Sequence, residues 1–239
     1  MDAVQNIISR RLVVSDVHGC SKTLKAMIED LIGLTKSDHL YFLGDYIDRG
    51  PDSAGVLDYI MQLINSGYNI YPLRGNHEEN LLKAREEYDK ETFIHFVVKI
   101  SKSPGLLDEN NELKKQYADF ISTLPYYYVL PDFIIVHAGI NFATPDPLSD
   151  IVSLLELRRT EPDINWLDGK RIITGHQVHP LNEIQEAVKE RRTVIPLDGG
   201  CYYTKPHKIF DYTQTGHLCC LNLDSFELIT QKNIEDSVC

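Results

Sequence analysis

Short apolar runs alternate with helix-period segments through the first third of the chain. Leu12 to Val14 is of strand length, Leu24, Met27, Ile28 and Leu31 recur at helical spacing, and Leu40 to Leu43 is again strand-like. This is β-α-β grammar, and it repeats: Val56, Leu57, Ile60, Leu63 and Ile64 mark a second helix, followed by a strand from Asn69 to Leu73. A parallel sheet is expected. Between Glu78 and Ser122 the chain is rich in Glu, Lys and Leu, with helical spacing at Leu81, Leu82, Ala84 and Arg85 and again at Phe93, Phe96 and Val97. That stretch reads as a helical insertion over about residues 79–123, turned at Ser103-Pro104-Gly105. After Pro125 strands are expected at Tyr126 to Leu130, Phe133 to Val136, Arg171 to Thr174, Thr193 to Pro196, Leu218 to Leu223 and Phe226 to Thr230, so the second half leans towards β. With no low-complexity tract and no Gly/Ser or Pro-rich linker, one domain over residues 1–239 is expected.

Composition narrows the class. The chain has 239 residues, 43% hydrophobic and 25% charged, which permits a large core and argues against disorder, collagen-like repeats and coiled coil. Asp and Glu total 35 against 24 Lys and Arg, a net charge of -11, so no nucleic-acid or anionic-membrane partner is expected. The same excess leaves carboxylates free for cations. The five cysteines, Cys20, Cys201, Cys219, Cys220 and Cys239, form neither a disulfide framework nor a zinc ribbon, and point to a reducing cytoplasm. Met1 to Arg11 lacks an apolar stretch of signal-peptide length, and no run reaches the roughly 18 apolar residues of a membrane span.

The chemistry-bearing residues stand directly after predicted strands, where an open α/β sheet builds its ligand site. Asp16-Val17-His18-Gly19 follows the first strand, Gly44-Asp45-Tyr46-Ile47-Asp48-Arg49-Gly50 the second, and Arg74-Gly75-Asn76-His77-Glu78 the third. The steps Asp16 to Asp45 and Asp45 to Asn76 are 29 and 31 positions, each close to one β-α-β unit of ~30 residues, so right-handed crossovers lay these loops side by side. His137 and His176 each follow a later strand. A single Asp or His in such a place is ordinarily a turn former or a satisfied core residue. Five loops obeying one rule make a site, and its mixture of oxygen and imidazole donors without thiolate suits Mn²⁺, Fe or Zn²⁺ better than a structural zinc.

In this order the motifs resemble those of the phosphoprotein phosphatase family of calcineurin-like metallophosphoesterases, above all its bacterial and phage-type serine/threonine protein phosphatases. The likeness runs from about Arg11 to Leu223. It implies an α/β fold with two packed β-sheets flanked by helices. It also implies two divalent metal ions, Mn²⁺ first with Fe or Zn²⁺ as alternatives: one held by Asp16, His18 and bridging Asp45, the other by Asp45, Asn76, His137 and His176. The implied reaction is phosphomonoester hydrolysis by a metal-activated hydroxide. His77 matches the family's general acid with Asp48 as its support, and Arg49 and Arg74 match its phosphate clamps. A further phosphate-binding arginine falls on Arg158 or Arg159, with no motif to choose. The implied substrate is a phosphoprotein or a small phosphoester. Symmetrical dinucleoside tetraphosphatases also resemble this sequence, through His137-Ala138-Gly139-Ile140, and stand as the alternative enzyme. A non-catalytic, metal-stabilised binding protein is the alternative outside enzymes.

Other conspicuous residues read blandly. His39, His95, His179, His207 and His217 lack ligand grammar. Tyr126-Tyr127-Tyr128 and Tyr202-Tyr203 read as strand packing ahead of ring stacking on a substrate. Cys20 reads as a small buried side chain, and Lys189-Glu190-Arg191-Arg192 as a solvated helix end or turn.

Overall fold

Two sheets lie face to face, and the period-2 alternation of their strands decides what each face meets. The computed structural model describes residues 9–203 and 213–235, so the His207 and Cys239 readings lie outside the described residues. The first sheet has five strands: β1 (Arg11–Val14), β2 (His39–Phe42), β3 (Asn69–Pro72), β8 (His217–Asn222) and β9 (Leu228–Lys232), in the order β3-β2-β1-β8-β9. β1, β2 and β3 are parallel, as the sequence pattern predicts, while β8 and β9 close the edge antiparallel. The second sheet has β4 (Tyr127–Val129), β5 (Phe133–Val136), β6 (Arg171–Thr174) and β7 (Val194–Pro196) in sequence order, the last three parallel.

Alternate residues of β1 and β2 go opposite ways. Val13 and Tyr41 pack with Phe133, Ile135, Ile173 and Ile195 of the facing sheet. Leu12, Val14, Leu40 and Phe42 instead meet helix α1 (Ser21–Ala26) with its π-helical continuation Met27–Ile32, and helix α2 (Ser53–Asn65). On the far side of the second sheet, Ile134, Val136 and Ile172 pack on Leu154 and Leu167. The result is two sheets flanked by helices.

The helical insertion begins earlier than the pattern suggests. α3 (Asn76–Glu87) starts on Asn76 itself, because Gly75 takes the N-cap place and Glu78, three residues on, accepts from the Gly75 N–H. α4 (Lys90–His95), a 3-10 turn at Pro104–Leu106 and α5 (Lys115–Ser122) follow, and Leu81, Phe93, Leu106, Tyr117 and Ile121 join the buried cluster that contains β1 and β2.

The lean of the second half towards β needs correction. α6 (Ile151–Glu156), α7 (Ile164–Leu167) and α8 (Leu181–Lys189) intervene between its strands. The first two are too short to show a helical period, whereas α8 buries Ile184, Ala187 and Val188 on one face and does show it. No helix among the described residues is long and apolar enough to cross a membrane.

Candidate dinuclear metal centre

The parallel ladders run one residue past their strands and so fix where each loop begins. Leu43 N–H donates to Val14 O, Leu73 N–H to Phe42 O, Gly175 N–H to His137 O and Leu197 N–H to Thr174 O. The loops then stitch to one another, with Val17 and His18 N–H both donating to Asp45 O and Gly19 N–H to Tyr46 O. Tight packing imposes unusual backbone. Of the ten non-glycine residues with positive φ among those described, five are His18, Asp45, Asp48, Arg49 and His176. Such left-handed conformations cost energy and persist where surrounding bonds over-determine them.

Asp45 lies at the middle of the cluster. His18 Nε2 stands 3.4 Å from its Oδ2 and His137 Nε2 3.5 Å from its Oδ1. Donor atoms of Asp45, His137 and His176 lie within 4.8 Å of one another, and so do those of His18, Asp45 and His77. The tautomers follow from the partners behind each ring: His18 Nδ1 donates to Ile47 O and His137 Nδ1 to Leu43 O, both at 2.8 Å, leaving each Nε2 as a bare lone pair aimed at a carboxylate. Lone pair against anion is repulsive unless a cation stands between them. Burial pushes His18 well down, lowers His137, and lowers His176 to about 4, with His137 adding to the last, so all three favour the neutral form a metal needs.

Asn76 completes this half. With its amide nitrogen inward it donates to Asp45 and to both imidazoles; with the oxygen inward, 3.0 Å from His137 Nε2 and 3.2 Å from His176 Nδ1, it adds another lone pair to the set. Asp16 sits across the loops, its Oδ2 accepting from His176 N–H at 2.9 Å while its buried Oδ1 has no partner. Burial raises this carboxyl, and the charges of Asp198 and Asp45 raise it further. A Cβ on Gly175 would run into Asp16 Oδ1, so only glycine lets the His176 loop approach this closely. Orphaned carboxylate oxygen, bare imidazole nitrogens and amide oxygen together fit hard or borderline divalent cations.

The N-terminus of α3 adds a fixed positive end. His77 N–H donates to Asp45 Oδ1 at 3.1 Å, and Glu78, fully buried, accepts from the N–H groups of Asp45, Tyr46, Ile47 and Gly75. Burial alone would raise Asp45, but the positive charge that His137, His77 and His18 carry when protonated, together with this amide, holds it below the usual carboxylate range.

His77 faces two ways. Its Nδ1 is 2.6 Å from Asp48 Oδ2, and its Nε2 is 3.1 Å from Arg49 Nη2 and 3.9 Å from Asp45 Oδ2. Burial pulls this imidazole down, yet the charge on Asp45 and the bond to Asp48 outweigh it and raise it to about 9. Arg49 also lies over the ring of Tyr202, 4.7 Å from its centroid, and Tyr202 meets His18 edge-on at 5.1 Å. A cleft of about 490 Å³ opens beside this group, with Arg49, His77, Phe96, Lys102 and Tyr202 on its walls.

Arg74 has protein partners: its guanidinium donates to Glu79 Oε2 at 2.9 Å, Tyr126 OH at 3.0 Å and Ser122 O at 2.7 Å. Arg159 pairs with Glu161 at 2.6 Å, and Arg158 and Arg159 both line a cavity with Gly175 and Gln177, the residues on either side of His176. His179 bonds Glu183 and lies outside the cluster.

One contributor escaped the sequence reading, and Tyr202, read as strand packing, lies instead in a turn against His18 and Arg49. Asp198, almost wholly buried with an unpartnered Oδ2, follows β7 as the other acids and imidazoles follow their strands, and that grammar could have found it. Tyr202 carried no signal beyond its ring.

Residues 9–218 match the calcineurin-like phosphoesterase family, and the chain belongs to that family. It is a metallophosphoesterase, a hydrolase of phosphate esters whose family works with divalent metals. Serine/threonine-protein phosphatase 2 of Escherichia coli is 27% identical over 85% of this chain and 81% of its own length. A symmetrical bis(5'-nucleosyl)-tetraphosphatase of Wigglesworthia glossinidia brevipalpis is 43% identical, over only 34% of this chain and 31% of its own. Among solved structures, a protein serine/threonine phosphatase from Saccharomyces cerevisiae superposes with a TM-score of 0.61 at 15% identity, over 98% of this chain and 83% of that one. A protein proposed to be a diadenosine tetraphosphatase does so with 0.65 at 20%, over 97% and 96%. At these identities the structural likeness is one of fold.

Proposed function

We propose that this chain is a dinuclear phosphomonoesterase acting on phosphoserine or phosphothreonine in proteins. The observation that carries the reading is Asp45, whose two oxygens face His18 on one side and His137 on the other, with His77 and Arg49 at the mouth. Asp16, His18 and Asp45 would hold one ion, and Asp45, Asn76, His137 and His176 the other. Mn²⁺ suits this oxygen and nitrogen set. Bound there, two divalent ions supply Lewis-acid charge and lower the pKa of water.

Arg49 receives the phosphoryl oxygens through its guanidinium fork, and Arg158 or Arg159 adds charge from the His176 side. Arg49 Nη2 stands 3.1 Å from His77 Nε2, close enough to donate to it whenever the ring is neutral. A phosphoryl group draws Arg49 onto itself, frees Nε2 to carry a proton, and leaves Asp48 and Asp45 to favour the imidazolium. His77 then gives that proton to the departing alkoxide oxygen.

The length of the match to the E. coli phosphatase favours protein substrates. Tyr202 and Tyr203, with ring centroids 4.2 Å apart beside Arg49, favour a second reading in which a nucleobase stacks there and a dinucleoside polyphosphate is cleaved. The deciding test is kcat/KM on a phosphothreonine peptide against diadenosine tetraphosphate at saturating Mn²⁺ and equal ionic strength. The peptide should be preferred; a hundredfold preference for the dinucleotide would transfer the assignment to the second reading.

A further inference from the structure

Asp48 is held by a hydroxyl that comes from the helical insertion rather than from the sheet loops. Ser103 Oγ lies 3.1 Å from Asp48 Oδ1, 3.2 Å from Asp48 N and 2.8 Å from Ser53 Oγ, and Ser53 Oγ lies 2.9 Å from the same Asp48 N. All three side chains are buried. Each hydroxyl has one proton, and that fixes the directions. Asp48 N–H can only donate, and its carboxylate, already facing His77 through Oδ2, needs a donor at Oδ1. Ser103 also approaches Ser101 O at 3.2 Å, but a charged carboxylate is the stronger acceptor. Ser103 therefore donates to Asp48, while Ser53 donates to Ser103, and every polar atom of the set is satisfied.

The backbone shows why such support is needed. Asp48 and Arg49 sit at φ +70 and +65, a strained pair that must present one carboxylate to His77 and one guanidinium to the cleft. Ser103 is itself firmly anchored. Its N–H donates to Val97 O, it precedes the Pro104–Leu106 turn, and Leu106 of that turn is fully buried in the core. The insertion thus reaches the proton-transfer machinery through one hydroxyl.

Resting on the reading of His77 as the acid, we propose that Ser103 is a positioning residue for acid catalysis, fixing the Asp48 carboxylate that orients His77. It touches neither substrate nor metal. Its removal leaves Asp48 one donor short and free to rotate, so the imidazole loses its aim while the cation-binding side chains keep theirs.

The test compares Ser103→Ala and Ser103→Thr on an alkyl phosphate and on p-nitrophenyl phosphate, with metal content measured on each protein. An aryl leaving group needs little proton assistance, so Ser103→Ala should lower kcat about 10-fold on the alkyl ester and far less on the aryl ester, with metal content unchanged. Ser103→Thr, which keeps the hydroxyl, should recover most of the loss. In a His77→Asn background the same Ser103→Ala change should have no further effect on the alkyl ester. A partly unfolded or metal-poor sample would lose both substrates alike, so equal losses on the two esters would overturn the proposal, as would a full Ser103→Ala effect in the His77→Asn background. If instead His77→Asn alone leaves the alkyl-to-aryl ratio unchanged, the acid assignment itself fails.

Discussion

The Glu78 carboxylate stands 2.9 Å from the backbone nitrogen of Asp45 and ties the first turn of α3 to the loop that carries Asp45. Burial and the charge on Asp45 push this carboxyl up. Yet its oxygens receive four backbone N–H groups, two each, a setting built for the ionised form. Glu78→Gln puts an NH₂ group against donors, and an unsatisfied buried donor costs on the order of 1–3 kcal/mol. The expected result is a lowered Tm together with weaker metal binding. An unchanged Tm would show that the cradle does not require the charge.

His77→Asn should keep both metals and lose about 10²- to 10⁴-fold in kcat on alkyl phosphates, the usual worth of a positioned proton donor. Asp48 Oδ2 behind Nδ1 and Asp45 beside Nε2 favour a protonated ring, which is the reason to expect a proton rather than a cation on Nε2. Metal analysis of the purified variant checks this, and loss of one ion per chain would make His77 a ligand.

Arg49 and Arg74 should part company on substitution by lysine. Arg49→Lys keeps charge but loses the fork, so kcat/KM on a phosphopeptide should fall at least tenfold at unchanged Tm. Arg74→Lys breaks bonds to Glu79, Tyr126 and Ser122 O, so it should lower Tm and leave kcat/KM near the parent value at low temperature. The reverse pattern would make Arg74 the clamp.

Away from the centre, Asp38 accepts from Arg10 and from Thr35 and anchors the start of β1 beside β2. Burial raises its carboxyl, but the Arg10 and Thr35 bonds outweigh this and hold it well below the ordinary value. A depressed folded pKa gives stability that is present above the unfolded pKa of about 4 and lost as pH falls below it. Thermal unfolding of the parent and Asp38→Asn should therefore differ most at pH 7 and converge in acid. A constant gap from pH 7 to 3 would contradict this.

The strands of the first β-α-β units were legible because they are apolar runs whose alternation must serve two faces, as in Val13 against Leu12 and Val14, whereas the division into two packed sheets came from the family resemblance. The convergence of the candidate ligands was legible for a related reason: Asp16, Asp45, Asn76, His137 and His176 each follow a strand, and parallel ladders bring strand ends together. What stayed hidden depends on distant partners. Nothing near Ser103 in sequence announces Asp48, 55 residues away, and nothing near Arg74 announces Tyr126 or Ser122 O as its partners. Asp198 obeyed the strand-end rule and was readable in principle. The short helices α6 and α7 have too few turns for periodicity to register.

The most direct test of the central claim is metal occupancy measured with turnover on the same sample. After exhaustive chelation and verified metal removal the protein should be inactive on a phosphomonoester, and titrated Mn²⁺ should restore activity as two ions per chain bind. Occupancy should fall in mild acid, where protons compete for His18, His137 and His176. Full turnover in the metal-free protein, or saturation of activity with one ion per chain, would contradict the dinuclear account.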